Sequence, residues 1–170
     1  MAWLTQDERL ADLHSLRIDE IARRNNTPYV AVYASVCRGL ALSLAGDHVA
    51  AMQKLESALR LAREAFAGLE YESDMLAFLA EIHLKSNSLA AAFGTAEQGI
   101  AVARERRARL AECRSTLVLA QVVNADGLRY PQYRLSELLA RGRQLIEETG
   151  ARPYERLLPV ASAASCGQGA

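Results

Sequence analysis

The fold of this chain is decided by the stretch Gly39-Leu-Ala-Leu-Ser-Leu-Ala-Gly-Asp-His-Val-Ala-Ala51. In it, the pair Gly46-Asp47 separates two runs that are rich in apolar and small residues. Glycine readily takes the left-handed conformation that ends a helix, and an aspartate side chain caps the first turn of the next helix. The stretch therefore predicts two helices joined as a tight hairpin.

The same pattern recurs 41 residues further along the chain. The shift places small residues on small residues at four positions: Gly39 on Ala80, Ala51 on Ala92, Ala58 on Gly99 and Ala62 on Ala103. It also places the turn Gly46-Asp47 on Asn87-Ser88. Small side chains let packed helices approach closely, and a hairpin that is repeated in sequence stacks on its neighbour. We therefore interpret Ala51, Ala58, Ala92 and Ala103 as helix contact positions in consecutive hairpin repeats.

The composition of the whole chain supports an all-α fold. Ala and Leu, both strong helix formers, supply 31 and 25 of the 170 residues, and no Pro lies between residues 29 and 130. Caps and apolar spacing predict seven helices in antiparallel hairpins, approximately over residues 6–24, 28–45, 48–67, 72–85, 89–107, 110–124 and 131–149. The first begins at the capping-box pair Thr5 and Glu8, and the last begins at Pro131.

No segment of the sequence predicts a membrane span or a secretory signal. The uncharged stretches fall short of the roughly 20 apolar residues that a membrane helix needs, and the first eight residues lack the basic and apolar regions of a signal peptide. The three cysteines, Cys37, Cys113 and Cys166, are odd in number and widely spaced, which predicts free thiols in a cytoplasmic protein. Balanced charge, with 20 basic and 20 acidic residues, argues against nucleic acid as a partner.

The sequence contains no motif that indicates catalysis, a cofactor or a metal site. It has no phosphate-binding glycine loop, nucleophile elbow or paired metal-ligand spacing, and its three histidines fall on different predicted helices or turns. The densest basic stretch, Arg104 to Arg114, could contact phosphate, but the interleaved Glu105 and Glu112 and the lack of aromatic residues favour a solvated helix end. We therefore predict a non-catalytic protein without cofactor or metal.

The repeated hairpin resembles the tetratricopeptide repeat family. That family's pattern of Gly, a Gly-Asp turn, and then Ala, a large residue and Ala matches Gly39, Gly46-Asp47, Ala51, Leu55 and Ala58. The match is closest in residues 35–62, continues in 76–103 and is weaker in 114–149. The closing Pro of each repeat is missing, and the period is 41 residues instead of about 34. This departure is similar to the longer-period repeats C-terminal to the ATPase modules of bacterial adenylate cyclases and LuxR/MalT-type regulators.

The resemblance implies three parts of the chain and a concave groove. Residues 1–27 would form an N-terminal helix that is half a repeat, 28–160 the repeat domain, and 161–170 a flexible tail. The first helix of each pair lines the groove in this family, which implies nine groove residues here: Tyr33, Val36, Leu40, Asp74, Ala77, Glu81, Arg114, Leu117 and Gln121. The alternative is that these residues pack against neighbouring repeats or a second copy of the chain.

The implied groove is partly apolar, which bears on the kind of partner. Some tetratricopeptide domains clamp the C-terminal carboxylate of a chaperone with Lys and Asn, whereas Val36 and Leu40 stand at such places here. An apolar groove suits a partner helix or an extended apolar peptide instead. We therefore predict a domain for protein–protein interaction or self-association. The alternative is a regulatory or sensor fragment of a larger ATPase-linked adenylate cyclase or transcriptional regulator.

Overall fold

The computed structural model describes residues 6–159. Over this range the chain folds into seven α-helices and has no strand. The helices are α1 (Glu8–Asn25), α2 (Pro28–Leu44), α3 (His48–Ala65), α4 (Glu72–Lys85), α5 (Leu89–Glu105), α6 (Arg109–Ala125) and α7 (Leu135–Thr149). Short 3-10 turns follow α3, α6 and α7, at Leu69–Tyr71, Gly127–Arg129 and Arg152–Leu157. Helices that follow each other along the chain pack together, which confirms the predicted all-α stack of helix hairpins.

The turns of the first two hairpins have the predicted geometry. Gly46 has a φ of 85°, and the Asp47 side chain accepts a hydrogen bond of 3.0 Å from the Ala50 backbone N–H. Asn87 takes the place of Gly46 in the second hairpin, with a φ of 57°. Asparagine tolerates this left-handed conformation better than most residues, so the two turns share a backbone conformation without sharing a glycine. Ser88, at the place of Asp47, makes no capping hydrogen bond with its side chain.

The small residues of the repeat lie where helices touch. A Cβ atom added to Gly39 would lie 2.9 Å from the side chain of Leu55, and one added to Gly99 would lie 2.5 Å from the Ser115 hydroxyl. The alanines at the repeat positions are also buried: Ala51, Ala58, Ala92 and Ala103. Because a larger side chain has no room at these contacts, the interpretation of these positions as helix contacts is confirmed.

Two helix starts differ from the prediction. The N-cap of α1 is Asp7, whose carboxylate accepts from the Leu10 N–H at 2.9 Å, whereas Thr5 lies outside the described residues. The last helix begins at Leu135, not at Pro131. The Tyr130 ring stacks on Phe93 at a centroid distance of 4.0 Å. These ring contacts hold the residues around Pro131 in a turn, and the helix can begin only after them. The predicted tail, 161–170, also lies outside the described residues.

Two buried glutamates tie the helices together. Glu72 of α4 pairs with Arg63 and Arg106, which come from α3 and the end of α5. Glu112 of α6 pairs with Arg104 of α5, with Arg141 of α7 and with Arg109 of its own helix. The prediction that the basic stretch from Arg104 to Arg114 is a solvated helix end is therefore wrong. Several of its arginines satisfy buried carboxylates, and Arg114 itself is only 1% exposed.

The distance between neighbouring helices varies along the inner side of the stack, and the wider part contains a cavity. Helices α4 and α6 pack closely, whereas α2 and α4 contact each other at only a few residues. Helix α1 packs along α2 and leaves an opening between α1, α2 and α4. At the other end, the chain turns at Gly150, which has a φ of 68°, and the turn Arg152–Leu157 returns onto α6 and α7.

Candidate functional site

The opening between α1, α2 and α4 is a cavity of about 580 Å³. It is lined by residues of these helices and of the turn before α4: Ala11, His14, Arg17, Ile18, Ile21, Tyr33, Val36, Cys37, Leu40, Tyr71, Asp74 and Phe78. A cavity of this volume lies in the range that holds a small molecule or a few side chains of a peptide. We call it the α2–α4 cavity.

The walls of the α2–α4 cavity are apolar and partly open to solvent. Val36, Leu40 and Phe78 line its inner part, and the Tyr33 and Tyr71 rings meet at a centroid distance of 5.7 Å. The exposed fraction of Tyr33 is 41%. Entry of an apolar group into an open pocket with apolar walls displaces water and makes the free energy of binding more favourable.

A carboxylate, that of Asp74, lies among these apolar walls. Asp74 is half-buried on a wall of the cavity. Burial raises its pKa above the ordinary value of an aspartate, although the charge of Arg114 acts in the opposite direction. A carboxylate in such a place is costly for the folded chain and favours a ligand that brings a hydrogen-bond donor or a positive charge.

A thiol, that of Cys37, also faces the α2–α4 cavity. It is half-buried, and burial raises its pKa, which lowers its fraction of reactive thiolate at neutral pH. The other described cysteine, Cys113, is fully buried between α6 and α7, and burial raises its pKa to about 11. Cys113 is therefore packed inside the fold, whereas Cys37 lies on a wall of the cavity. Cys166 lies outside the described residues.

Next to the cavity, Arg114 of α6 is held between two aromatic rings. Its guanidinium carbon lies 4.3 Å from the ring centre of Phe78 and 4.7 Å from that of Tyr154. Its Nε atom lies 3.5 Å from a carboxylate oxygen of Glu81. Phe78 also lines the α2–α4 cavity, so Arg114 and its rings separate the cavity from the surface beyond it.

The surface beyond Arg114 is covered by the turn Arg152–Leu157, which we call the C-terminal segment. Arg156 donates to both carboxylate oxygens of Glu81, at 3.0 and 3.4 Å, and Gln121 donates to the Leu157 carbonyl at 2.6 Å. Burial disfavours the Glu81 carboxylate, but Arg114 and Arg156 outweigh that effect and hold its pKa below the ordinary value. The segment therefore lies on α4 and α6 through specific polar contacts.

The structure places the nine predicted groove residues in three groups. The first lines the α2–α4 cavity: Tyr33, Val36, Leu40 and Asp74. The second contacts the C-terminal segment: Glu81, Arg114 and Gln121. Ala77 and Leu117 form the third and are buried in the packing, where Leu117 faces Gly142 of α7 because glycine leaves room for its side chain.

Sequence reasoning missed the part of the site that α1 supplies. Residues 1–27 were expected to form half a repeat, and no groove residue was predicted among them. Ile18 and Ile21 line the cavity. Their spacing of three residues, which places both on one helix face, was the available signal. It also missed that the C-terminal segment covers Glu81, for which the sequence held no signal beyond the helix stop at Gly150 and Pro153.

Within residues 6–159, no group of three His, Cys, Asp or Glu side chains is placed to hold a metal ion. None of the helices described is long and apolar enough to cross a membrane. Comparisons of the chain with family models, with curated proteins and with solved structures found no match.

Proposed function

We propose that this chain is a non-catalytic, tetratricopeptide-like domain that binds a protein partner in the cytoplasm through the inner surface of its helix stack. The partner would contribute a short peptide segment with an apolar side chain for the α2–α4 cavity and a donor or cation for Asp74. Binding would use a surface present in the folded chain, because α2 packs between α1 and α3 and α4 packs against α5 and α6.

The observation that carries this proposal is the half-buried carboxylate of Asp74 among the apolar walls of the open α2–α4 cavity. Burial raises the pKa of Asp74, so a ligand that brings a hydrogen-bond donor or a positive charge would offset part of the cost of desolvating this carboxylate. The exposed rings and alkyl groups at the rim, those of Tyr33 and Ile21, provide apolar contact area around it.

Selection of displayed peptides on the intact chain tests the proposal. We expect selected peptides to share an apolar residue near a Lys or Arg, and to lose at least tenfold in affinity when the chain carries both Tyr33→Ala and Ile21→Ala. The matched control is Val49→Ala, because Val49 is exposed on α3 and does not line the cavity. Binders that tolerate the double substitution, or a selection without enriched binders, would contradict the proposal.

The volume of the cavity also supports the alternative function, that of a regulatory domain which senses a small ligand. A screen of small molecules by thermal unfolding distinguishes the two. Compounds that raise the melting temperature of the chain, but not of the Tyr33→Ala and Ile21→Ala variant, support the sensor if the peptide selection yields no binder.

A further inference from the structure

The C-terminal segment makes contacts of the kind that a bound peptide makes. It is a 3-10 helix of six residues that packs on α6 and α7, with Tyr154 and Leu157 buried in an apolar cluster, and its polar contacts reach α4 and α6. The Arg156 pair with Glu81 spans 75 positions of sequence, and the Gln121 bond to the Leu157 carbonyl spans 36. Pairing of a guanidinium with a carboxylate and capture of a backbone carbonyl by a side chain are common features of peptide recognition.

Each contact indicates what this surface recognises. The Glu81 carboxylate is 1% exposed and is matched by a guanidinium, since Arg156 reaches both of its oxygens. The Arg114 guanidinium offers its flat face to an aromatic ring, that of Tyr154. The Gln121 amide binds a main-chain carbonyl and thereby fixes the direction of the segment. The chemistry required is an aromatic residue, then an arginine two positions later, then an apolar residue.

The chain itself keeps this surface occupied. A segment joined to its site by a short connection has an effective concentration in the millimolar range, so a free peptide of equal intrinsic affinity competes poorly. Glu81 also pairs with Lys85 at 3.2 Å, which leaves a cation on the carboxylate when the segment departs. Release of the segment is therefore less costly than exposure of an isolated buried carboxylate.

We propose that the surface formed by Glu81, Arg114 and Gln121 is a second peptide site that the C-terminal segment occupies as an internal ligand, and that a partner peptide with an aromatic residue two positions before an arginine displaces it. The inference extends the proposed function, because it names the partner chemistry at the surface next to the α2–α4 cavity and makes partner binding subject to competition from the chain.

Binding of a labelled synthetic peptide of residues 151–159 to the full chain tests this proposal. In the variant Arg156→Glu, the like charge at Glu81 should expel the internal segment. We expect the peptide to bind this variant at least tenfold more tightly than the unmodified chain. Arg152→Glu is the matched control, because Arg152 is on the same segment but pairs with the exposed Glu155 and not, within residues 6–159, with Glu81. This control should bind like the unmodified chain.

The arginine of the peptide provides the second comparison. A peptide that carries Arg156→Ala should bind the Arg156→Glu chain at least tenfold more weakly than the peptide with arginine. Equal affinity of the two peptides, or equal affinity of the two chains for the arginine peptide, would overturn the proposal. Circular dichroism shows whether the variant chain is folded.

If Arg156→Glu does not fold, hydrogen exchange of the unmodified chain tests whether the peptide displaces the C-terminal segment. Excess arginine peptide should speed the exchange of the Tyr154 to Leu157 amides, and the Arg156→Ala peptide should not. Unchanged exchange with both peptides would overturn the proposal. The proposed function is tested separately by Tyr33 and Ile21, because both line the α2–α4 cavity. The C-terminal segment instead contacts Glu81, Arg114 and Gln121.

Discussion

Arg156 binds the carboxylate of Glu81 through two hydrogen bonds, of 3.0 and 3.4 Å, and so joins the last described turn of the chain to the middle of the helix stack. The same carboxylate lies 3.5 Å from the Nε atom of Arg114, which is buried between Phe78 and Tyr154. Glu81 therefore holds one internal arginine and one arginine of the C-terminal segment. Its removal should reveal both roles.

Glu81→Gln should lower the free energy of unfolding by about 3 kcal/mol at pH 7, because it leaves the buried Arg114 cation without its carboxylate. Urea denaturation measures the change. Glu155→Gln is the control, since Glu155 forms a pair with Arg152 at the surface, and such pairs contribute about 0–1 kcal/mol. Equal effects of the two substitutions would show that Glu81 is not needed to hold Arg114.

The contribution of Glu81 should also depend on pH in one direction. Its pKa is held below the ordinary value in the folded chain, so its stabilising effect is present above the unfolded pKa of about 4.3. The effect is lost as the pH falls through the folded pKa. The difference in unfolding free energy between the chain and Glu81→Gln should therefore be constant above about pH 5.5 and shrink in more acidic solution.

Asp74→Asn should have the opposite effect and stabilise the chain at pH 7. The pKa of Asp74 is raised by burial, so its ionised form opposes folding at pH values above the folded pKa. The gain should disappear below about pH 3.9, where Asp74 is protonated in both states. Thermal unfolding at pH 7 and pH 3.5 measures it, with Glu64→Gln on the exposed side of α3 as the control. A loss of stability at pH 7 would mean that Asp74 has a structural role.

Ala51→Leu should lower the free energy of unfolding by about 1–3 kcal/mol through overpacking. Ala51 is fully buried, and its carbonyl lies beside Gly39 where α2 and α3 approach each other. Ala91→Leu makes the same change at an exposed position of α5 and should leave stability nearly unchanged. An unchanged melting temperature for Ala51→Leu would show that this helix contact is loose.

Cys37 should react with iodoacetamide at pH 8 at least tenfold more slowly in the folded chain than in urea. Its thiol is half-buried in the α2–α4 cavity, and burial raises its pKa. Mass spectrometry of a Cys166→Ser chain separates Cys37 from Cys113. A peptide bound in the cavity should slow the reaction further, whereas a rate equal to that in urea would place Cys37 outside a protected site.

Most of the fold could be predicted from the sequence, because the signals for it are local. Caps and turns such as Gly46-Asp47 depend on neighbouring residues, and the small residues repeat at a period that the chain itself displays. The start of the last helix was missed since the contact between Phe93 and Tyr130 joins residues that are distant in sequence. Pro131 is a local signal for a helix start, but the contact between the Phe93 and Tyr130 rings determines that the helix begins at Leu135.

The site could be predicted only in part, for a related reason. The resemblance to the tetratricopeptide repeat implied that Tyr33, Asp74 and Arg114 lie on the inner helical faces, but it did not imply the spacing between the helices. The separation of α2 from α4 makes the cavity, and the return of the chain after Gly150 covers Glu81. Both depend on the assembled packing of several helices, which no single stretch of sequence records.

The most direct test of the binding surface is a map of backbone amide shifts in the isotope-labelled chain when a selected peptide is added. We expect the shifted amides to cluster at the α2–α4 cavity, around Tyr33 and Asp74, and in the C-terminal segment. Shifts confined to the exposed sides of α3 and α5, around Val49 and Ala91, would contradict this expectation.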